Sequence, residues 1–373
     1  METSKKLELL ADASRFDLSC ACGTKDQERR HRGADGLWLY PVSLPGGGTA
    51  IMLKTLMSNV CVNDCRYCPF RTDRDVPRCV LGPEETAKIF MDYVRRSRVV
   101  GLFLSSGVMR DPDYTMDRVI AAASILRKKH QYRGYIHLKI IPGASKAAVE
   151  TAVALANAVS LNVEAPTRAA FAPLSRKKDY DRDIVALVKY ISVLTAPGSL
   201  HAKVKQTTQF VVGASTEKDK EIIHAAYGLY RRLKLQRVYY SAYQHGHGDP
   251  QLPGEQNARH QAGGILTREH RLYQADFLLR KYDWALDEIP LEADGNLSPC
   301  ADPKQRWADL HPERFPVRLR SAERRELLRV PGLGPTLVNR ILKVRRESGL
   351  RDLKDVGLRG KNLEKAARYV AYE

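Results

Sequence analysis

The chain has 373 residues, 43% hydrophobic and 28% charged. It contains no run of about 18 consecutive apolar residues, which excludes a transmembrane helix and leaves room for a large core plus a smaller domain. With 61 Lys and Arg against 43 Asp and Glu it carries +18 at neutral pH, a balance that fits a polyanionic partner as well as a merely solvated basic surface.

The opening METSKKLELLADASRF interrupts its apolar residues with charges and lacks the apolar stretch and small-residue cleavage site of a secretory signal, so the expected location is cytoplasmic. Seven cysteines in such a chain are expected to be reduced, and clustered ones read as metal ligands or catalytic thiols. Residues 1–49 are expected to form an extension of helix and loop. From about residue 50 strand and helix patterns alternate. The apolar runs AIMLKTLM, VVGLFLSS, GYIHLKII, AVSLNVEA, TTQFVVGA and RVYYSAY predict six strands. Helical patterns lie between them, including PEETAKIFMDYVRRSR with Pro83 in its first turn and SKAAVETAVALANA capped by Ser145.

Such alternation requires crossovers and hence a parallel sheet, either open and doubly wound or curved into all or part of a barrel. In both, the active site forms at the carboxyl ends of the strands. After the sixth strand comes HGHGDPQLPGEQNARHQAGG, with His245 and His247 near the expected mouth, then a helix that completes a core over residues 50–285. A polar linker over 286–317 leads to a small all-α unit at 318–373.

The densest chemical signal is CVNDCRYCPF at residues 61–70. Three sulfurs spaced by three and two residues converge only on a tight loop, and thiolates bind soft metals. Zinc wants a fourth ligand, for which the nearest residues are Cys79 and His31. An iron-sulfur cube with three protein thiolates instead leaves one iron open to a reactive cofactor. Cys20, Cys22, Cys79 and Cys300 read as free or packed thiols rather than as a second cluster.

With Tyr67 immediately before Cys68, the stretch resembles the signature of the radical S-adenosylmethionine (SAM) superfamily, C-x-x-x-C-x-φ-C with an aromatic φ. The resemblance implies a partial (β/α)6 TIM-like barrel and a 4Fe-4S cluster held by Cys61, Cys65 and Cys68. It further implies S-adenosyl-L-methionine chelating the unique iron, a flavodoxin- or ferredoxin-type electron donor, and a 5'-deoxyadenosyl radical that removes a hydrogen atom from substrate. Where many members carry a Gly-Gly-Glu-like element, this chain has Ser105-Ser106-Gly107, whose hydroxyls can accept a hydrogen bond from the methionine ammonium. Asn162 and Glu164 share one face of the fourth strand by its period of two and are candidates for ribose or substrate contact, with Lys139 as an alternative, purely structural ion partner for Glu164. Gly213, after the fifth strand, matches the family's adenine-side element loosely.

In the tail, RELLRVPGLGPTLVNRILKVRRE at 325–347 resembles a helix-hairpin-helix motif, and SGLRDLKDVGLRGKNLEKAARYV looks like a degenerate second copy. The resemblance implies phosphate binding by the Gly332 to Gly334 amides, beside Arg340, Lys343 and Arg345. From Arg318 to Glu373 there are fifteen Lys and Arg against seven Asp and Glu, a net of +8.

Along nearly its whole length the chain resembles the radical SAM family assigned to DNA modification or repair, whose members are associated with a partner resembling uracil-DNA glycosylase. That implies an enzyme acting on DNA. RNA modification is the alternative enzyme reading, and a nucleic-acid-binding protein with a structural or redox-sensing cluster is the non-catalytic one.

Overall fold

The computed structural model describes residues 2–14, 31–32, 38–43, 48–97, 99–256, 264–347 and 349–372. Cys20 and Cys22 lie outside them. The chain divides into two compact units, residues 1–217 with 228–269, and residues 218–227 with 270–373. Among the described residues, no helix is long and apolar enough to cross a membrane.

The first unit is built on one eight-stranded sheet: β1 (His31–Arg32), β2 (Trp38–Ser43), β3 (Thr49–Leu56), β4 (Val99–Ser105), β5 (Tyr135–Lys139), β6 (Ala158–Ser160), β7 (Lys205–Val212) and β8 (Arg237–Ala242). The strands pair in strict chain order. All six expected strands are present, and β3 to β8 are parallel throughout. Sequential order is that of a barrel; a doubly wound sheet would reverse direction at a switch point, so the half-barrel is the form adopted.

The extension expected to be helix and loop holds α1 (Thr3–Ala13) but also contributes β1 and β2, and β2 runs antiparallel to β3. Pro41, opposite Ile51 in that ladder, hides the strand from sequence reading, because proline cannot donate to a ladder and argues against an interior strand.

One face of the sheet is fully buried from β5 to β8, and on the other Phe103, Lys139, Val211 and Tyr239 are half-buried. Leu102, Leu104, Ile136, Leu138, Val159, Val212 and Val238 have no exposed surface. The crossovers include α2 (Pro83–Ser97), α3 (Pro112–Ser124), α4 (Lys146–Leu155), α5 (Arg168–Phe171), α6 (Ala186–Leu194) and α7 (Asp219–Leu233). Pro83 opens α2, and the Ser145 hydroxyl accepts from the Ala148 amide at the start of α4.

The chain continues through α8 (Pro253–Gln256) and α9 (Gly264–Lys281) to α10 (Pro303–Leu310), α11 (Arg324–Leu327), α12 (Pro335–Glu347) and α13 (Gly360–Ala367). In the second unit, the short strands β9 (Val317–Arg318) and β10 (Val370–Ala371) pair in parallel and tie the beginning of the tail to its end. Leu319, Leu327, Leu328, Val330, Val338, Ile341, Leu353, Val356 and Ala366 form its fully buried centre.

The first helix of each expected hairpin is shorter than its sequence suggested. Residues 324–327 make a single turn, and Leu353–Val356 is a 3-10 turn. Twenty-five positions apart, Gly332 at φ 87° and Gly357 at φ 81° both take a left-handed backbone, and Leu333, Leu358, Ile341 and Ala366 are all buried.

Candidate active site

The cysteine loop leaves the carboxyl end of β3 and is sewn to the end of β4. The amide of Met57 donates to the Ser105 carbonyl at 2.8 Å, that of Gly107 to Ser58 at 2.7 Å, and that of Val62 to Val108 at 2.8 Å. Only glycine fits at 107, since a Cβ there would stand 2.4 Å from the Val60 carbonyl oxygen and 3.3 Å from the Cys61 Cβ. The Cys68 amide closes a turn onto the Cys65 carbonyl at 2.8 Å.

Two arginines fix the remainder of the loop. Arg78 donates to the carbonyls of Asn59 (2.6 Å), Phe70 (2.8 Å), Arg71 (2.9 Å) and Arg74 (2.9 Å). Buried Arg71 reaches the carbonyls of His247 (3.0 Å) and Gly248 (3.4 Å), joining the cysteine loop to the histidine loop. One planar fork gathering several carbonyls is a task suited to guanidinium and not to ammonium.

Cys61, Cys65, Cys68, Tyr67, Ser105, Ser106, Gly107, Asn162 and Glu164 all line one cavity of about 200 Å³. Asn162 and Glu164 arrive there by a different route from the one expected. β6 stops at Ser160, and Glu164 returns to the sheet at an isolated parallel bridge with Phe210, with a left-handed backbone at φ 62°. Its carboxylate accepts from the Asn162 amide at 3.4 Å and is hydrogen-bonded to the Tyr67 phenol. Lys139 is also in the wall.

Ser106 spends its hydroxyl proton on the Gly107 carbonyl at 2.7 Å, leaving its lone pairs as acceptors. Gly213 is not among the lining residues; its left-handed turn directs its amide to the Glu217 carboxylate at 2.6 Å. His247 lines the cavity, whereas His245 sits against Glu255, which also accepts from the Gly246 and Gly248 amides at 2.9 and 2.8 Å.

Sequence reading missed Lys178. It lines the cavity, is hydrogen-bonded to Cys65 and faces Glu164. Burial alone would lower its pKa, but the Cys65 thiolate and the Glu164 carboxylate outweigh burial and raise it. It stands third in the run Arg176-Lys177-Lys178, and nothing in three consecutive cations says which one turns inward.

The donor set fits an iron-sulfur cluster. Backbone amides of Val108 and Phe70 each approach a cysteine sulfur, Cys61 and Cys68, at 3.4 Å. Burial pushes the Cys68 thiol up to about 12 and raises that of Cys65, with neighbouring thiolates adding to both. Three ionised thiols crowded here therefore require positive charge, which iron supplies and Lys178 supplements. Cys79 lies outside the lining, its sulfur against the Lys6 carbonyl at 3.7 Å. Cys300 is exposed in the second unit.

Among the tail residues expected to meet phosphate, two are engaged within their own unit. Arg340 donates to the Val356 carbonyl at 2.9 Å and Arg345 to that of Ala322 at 2.8 Å. Gly332 serves close packing, since a Cβ there would lie 2.9 Å from the Asn362 carbonyl oxygen, and a Cβ on Gly334 would lie 3.2 Å from the Tyr282 hydroxyl. Lys343 is exposed, 4.0 Å from Glu347.

Residues 55–226 match the family model of the radical SAM superfamily. Among solved structures, the chain is similar to the FeFe-hydrogenase maturase HydG, at 14% identity over 59% of this chain and 49% of that one, with a TM-score of 0.44. For HydG from Carboxydothermus hydrogenoformans, identity is 16% over 59% of this chain and 51% of that one, at a TM-score of 0.43. Methylornithine synthase (PylB) is 14% identical over 61% of this chain and 63% of its own, at a TM-score of 0.46. The chain thus spans about half of HydG and under two thirds of PylB. Comparison with curated proteins finds no match. The segment matched to the superfamily holds all three cysteines of the cavity, so the similarity to radical SAM proteins covers the candidate site itself.

Proposed function

We propose that this protein is a radical SAM enzyme, with a 4Fe-4S cluster and S-adenosylmethionine as cofactors, that modifies or repairs DNA, and that the tail of the second unit forms a helix-hairpin-helix pair that holds the phosphate backbone. The observation that carries the reading is the repeated turn, Gly332-Leu333 and Gly357-Leu358 with matching left-handed glycines, set in a segment whose cations are exposed apart from Arg329, Arg345 and Lys365. Repeated turns on a basic surface suit a regular polyanion, and backbone grip without base reading suits an enzyme that takes its specificity from the chemistry.

Cys61, Cys65 and Cys68 would hold the cluster. When bound, the cluster and S-adenosylmethionine supply reductive carbon-sulfur cleavage and a carbon radical able to take a hydrogen atom from substrate. The chain's own part is positioning. Arg78 and Arg71 fix the cysteine loop, Glu164 and Asn162 would offer polar contacts to the ribose or substrate, and the Ser105 and Ser106 hydroxyls would accept from the methionine ammonium. In the same reading a flavodoxin- or ferredoxin-type protein delivers the electron, and a uracil-DNA-glycosylase-like protein is the partner.

The test is binding of the full chain to duplex DNA and duplex RNA across a salt series, followed by fluorescence anisotropy. DNA affinity is expected to fall linearly on logarithmic axes. Substituting Lys343, Arg346, Arg359 and Lys361 together by Gln is expected to flatten the slope by about 0.9 for each phosphate that no longer meets a cation. An unchanged slope would remove the tail from the interface, and preference for RNA would transfer the proposal to RNA.

A further inference from the structure

The loop carrying Cys65 is bonded along its length to a strap formed by residues 173–178. The Arg66 amide donates to the Leu174 carbonyl at 2.8 Å, and its guanidinium reaches the Pro173 carbonyl at 3.4 Å. The Asp64 carboxylate accepts from the Ser175 hydroxyl at 2.5 Å and from the amides of Arg176 and Lys177 at 2.9 and 3.3 Å. Lys177 donates back to the Val62 carbonyl at 2.6 Å. The strap presents Arg176 and Lys177 outward, as exposed residues, and ends with the Lys178 ammonium in the cavity, bonded to Cys65.

That placement has an electronic consequence. A cluster gaining an electron becomes more negative, so an adjacent cation favours the reduced form. An N–H donor on a ligating sulfur withdraws electron density and acts in the same direction. Glu164, facing the same ammonium, would act oppositely if left uncompensated. We propose that Lys178 raises the reduction potential of the cluster held by Cys61, Cys65 and Cys68, and that Asp64 is the positioning residue that locks the strap to deliver it. The inference depends on the cluster and is independent of DNA as substrate.

The test is an anaerobic redox titration of the reconstituted full chain without S-adenosylmethionine, using dithionite as reductant, with reduced cluster read by electron paramagnetic resonance and iron content measured first. At the wild-type midpoint, Lys178→Met is expected to raise the oxidised-to-reduced ratio about tenfold, a midpoint more negative by about 59 mV for a one-electron couple. Lys178→Arg should stay near wild type, and Lys178→Met with Glu164→Gln should recover part of the shift. Asp64→Asn should move in the same direction as Lys178→Met, by less, and gives the same reading if Lys178→Met fails to load iron. An iron-loaded Lys178→Met that titrates at the wild-type midpoint overturns the inference. A wild-type chain that takes up no iron overturns it together with the cluster assignment, whatever the tail does with DNA.

Discussion

The cavity of the first unit and the tail of the second use basic residues in opposite ways. Around the cavity, Arg71, Arg78 and Lys178 are turned inward onto carbonyls and a thiol. In the tail, only Arg329 is fully buried and most cations face solvent. Inward cations are consumed in building a site, whereas outward ones are available to a ligand. The positive charge of the sequence is therefore two populations with different tasks, and substitutions should separate them.

The largest expected effect is Cys65→Ala, which should abolish iron uptake and S-adenosylmethionine cleavage while leaving DNA affinity and its salt slope unchanged. Loss of both together would show the comparison to be false. Next comes Gly107→Ala, whose Cβ meets backbone 2.4 Å away. Displacing the Val60 carbonyl moves the Cys61 side of the loop, so loaded cluster should fall about tenfold or more, together with a lower melting temperature.

Arg329→Met acts on the other unit. Arg329 forks onto both Glu288 oxygens at 2.6 and 2.7 Å and lies 4.5 Å over the Trp284 ring. Its loss should cost the second unit about 3 kcal/mol, read from denaturant unfolding. Burial alone would raise the Glu288 pKa, but the Arg329 contact and the Ala285 amide hold it below the usual carboxylate value. This part of the stability is thus full above the unfolded carboxylate pKa of ~4.3 and is lost as pH falls through the lower folded value. Arg329→Met should flatten that acid dependence. The smallest effect is Lys343→Gln, exposed on α12, which should weaken DNA binding severalfold at low salt and reduce the slope by about 0.9.

The two regions also differ in how well the sequence disclosed them. Six strands, their order of appearance and the cysteine loop were legible because hydrophobic runs and ligand spacing are local signals. The cavity was legible only in part. Glu164 was expected on the fourth strand; β6 ends four residues earlier, and Glu164 rejoins the sheet by a single parallel bridge to Phe210 with a left-handed backbone. Lys178 and Asp64 act through contacts more than 100 positions apart, which no window reveals.

The tail inverted the pattern. Glycine spacing suggested a repeat there, whereas the contacts of individual residues were not legible. Arg340 and Arg345, read as phosphate ligands, donate to carbonyls of their own unit, and Gly332 serves packing against Asn362. Composition reports the number of cations, and only the fold sorts them into inward and outward.

The proposed function directs radical chemistry in the first unit at DNA. The most direct measurement incubates the anaerobically reconstituted full chain with reductant, S-adenosylmethionine and deuterated genomic DNA, and reads the mass of the 5'-deoxyadenosine produced. The expected product is 5'-deoxyadenosine carrying deuterium taken from the DNA. A fully loaded enzyme, saturated with that DNA, that releases only unlabelled 5'-deoxyadenosine or none would contradict it.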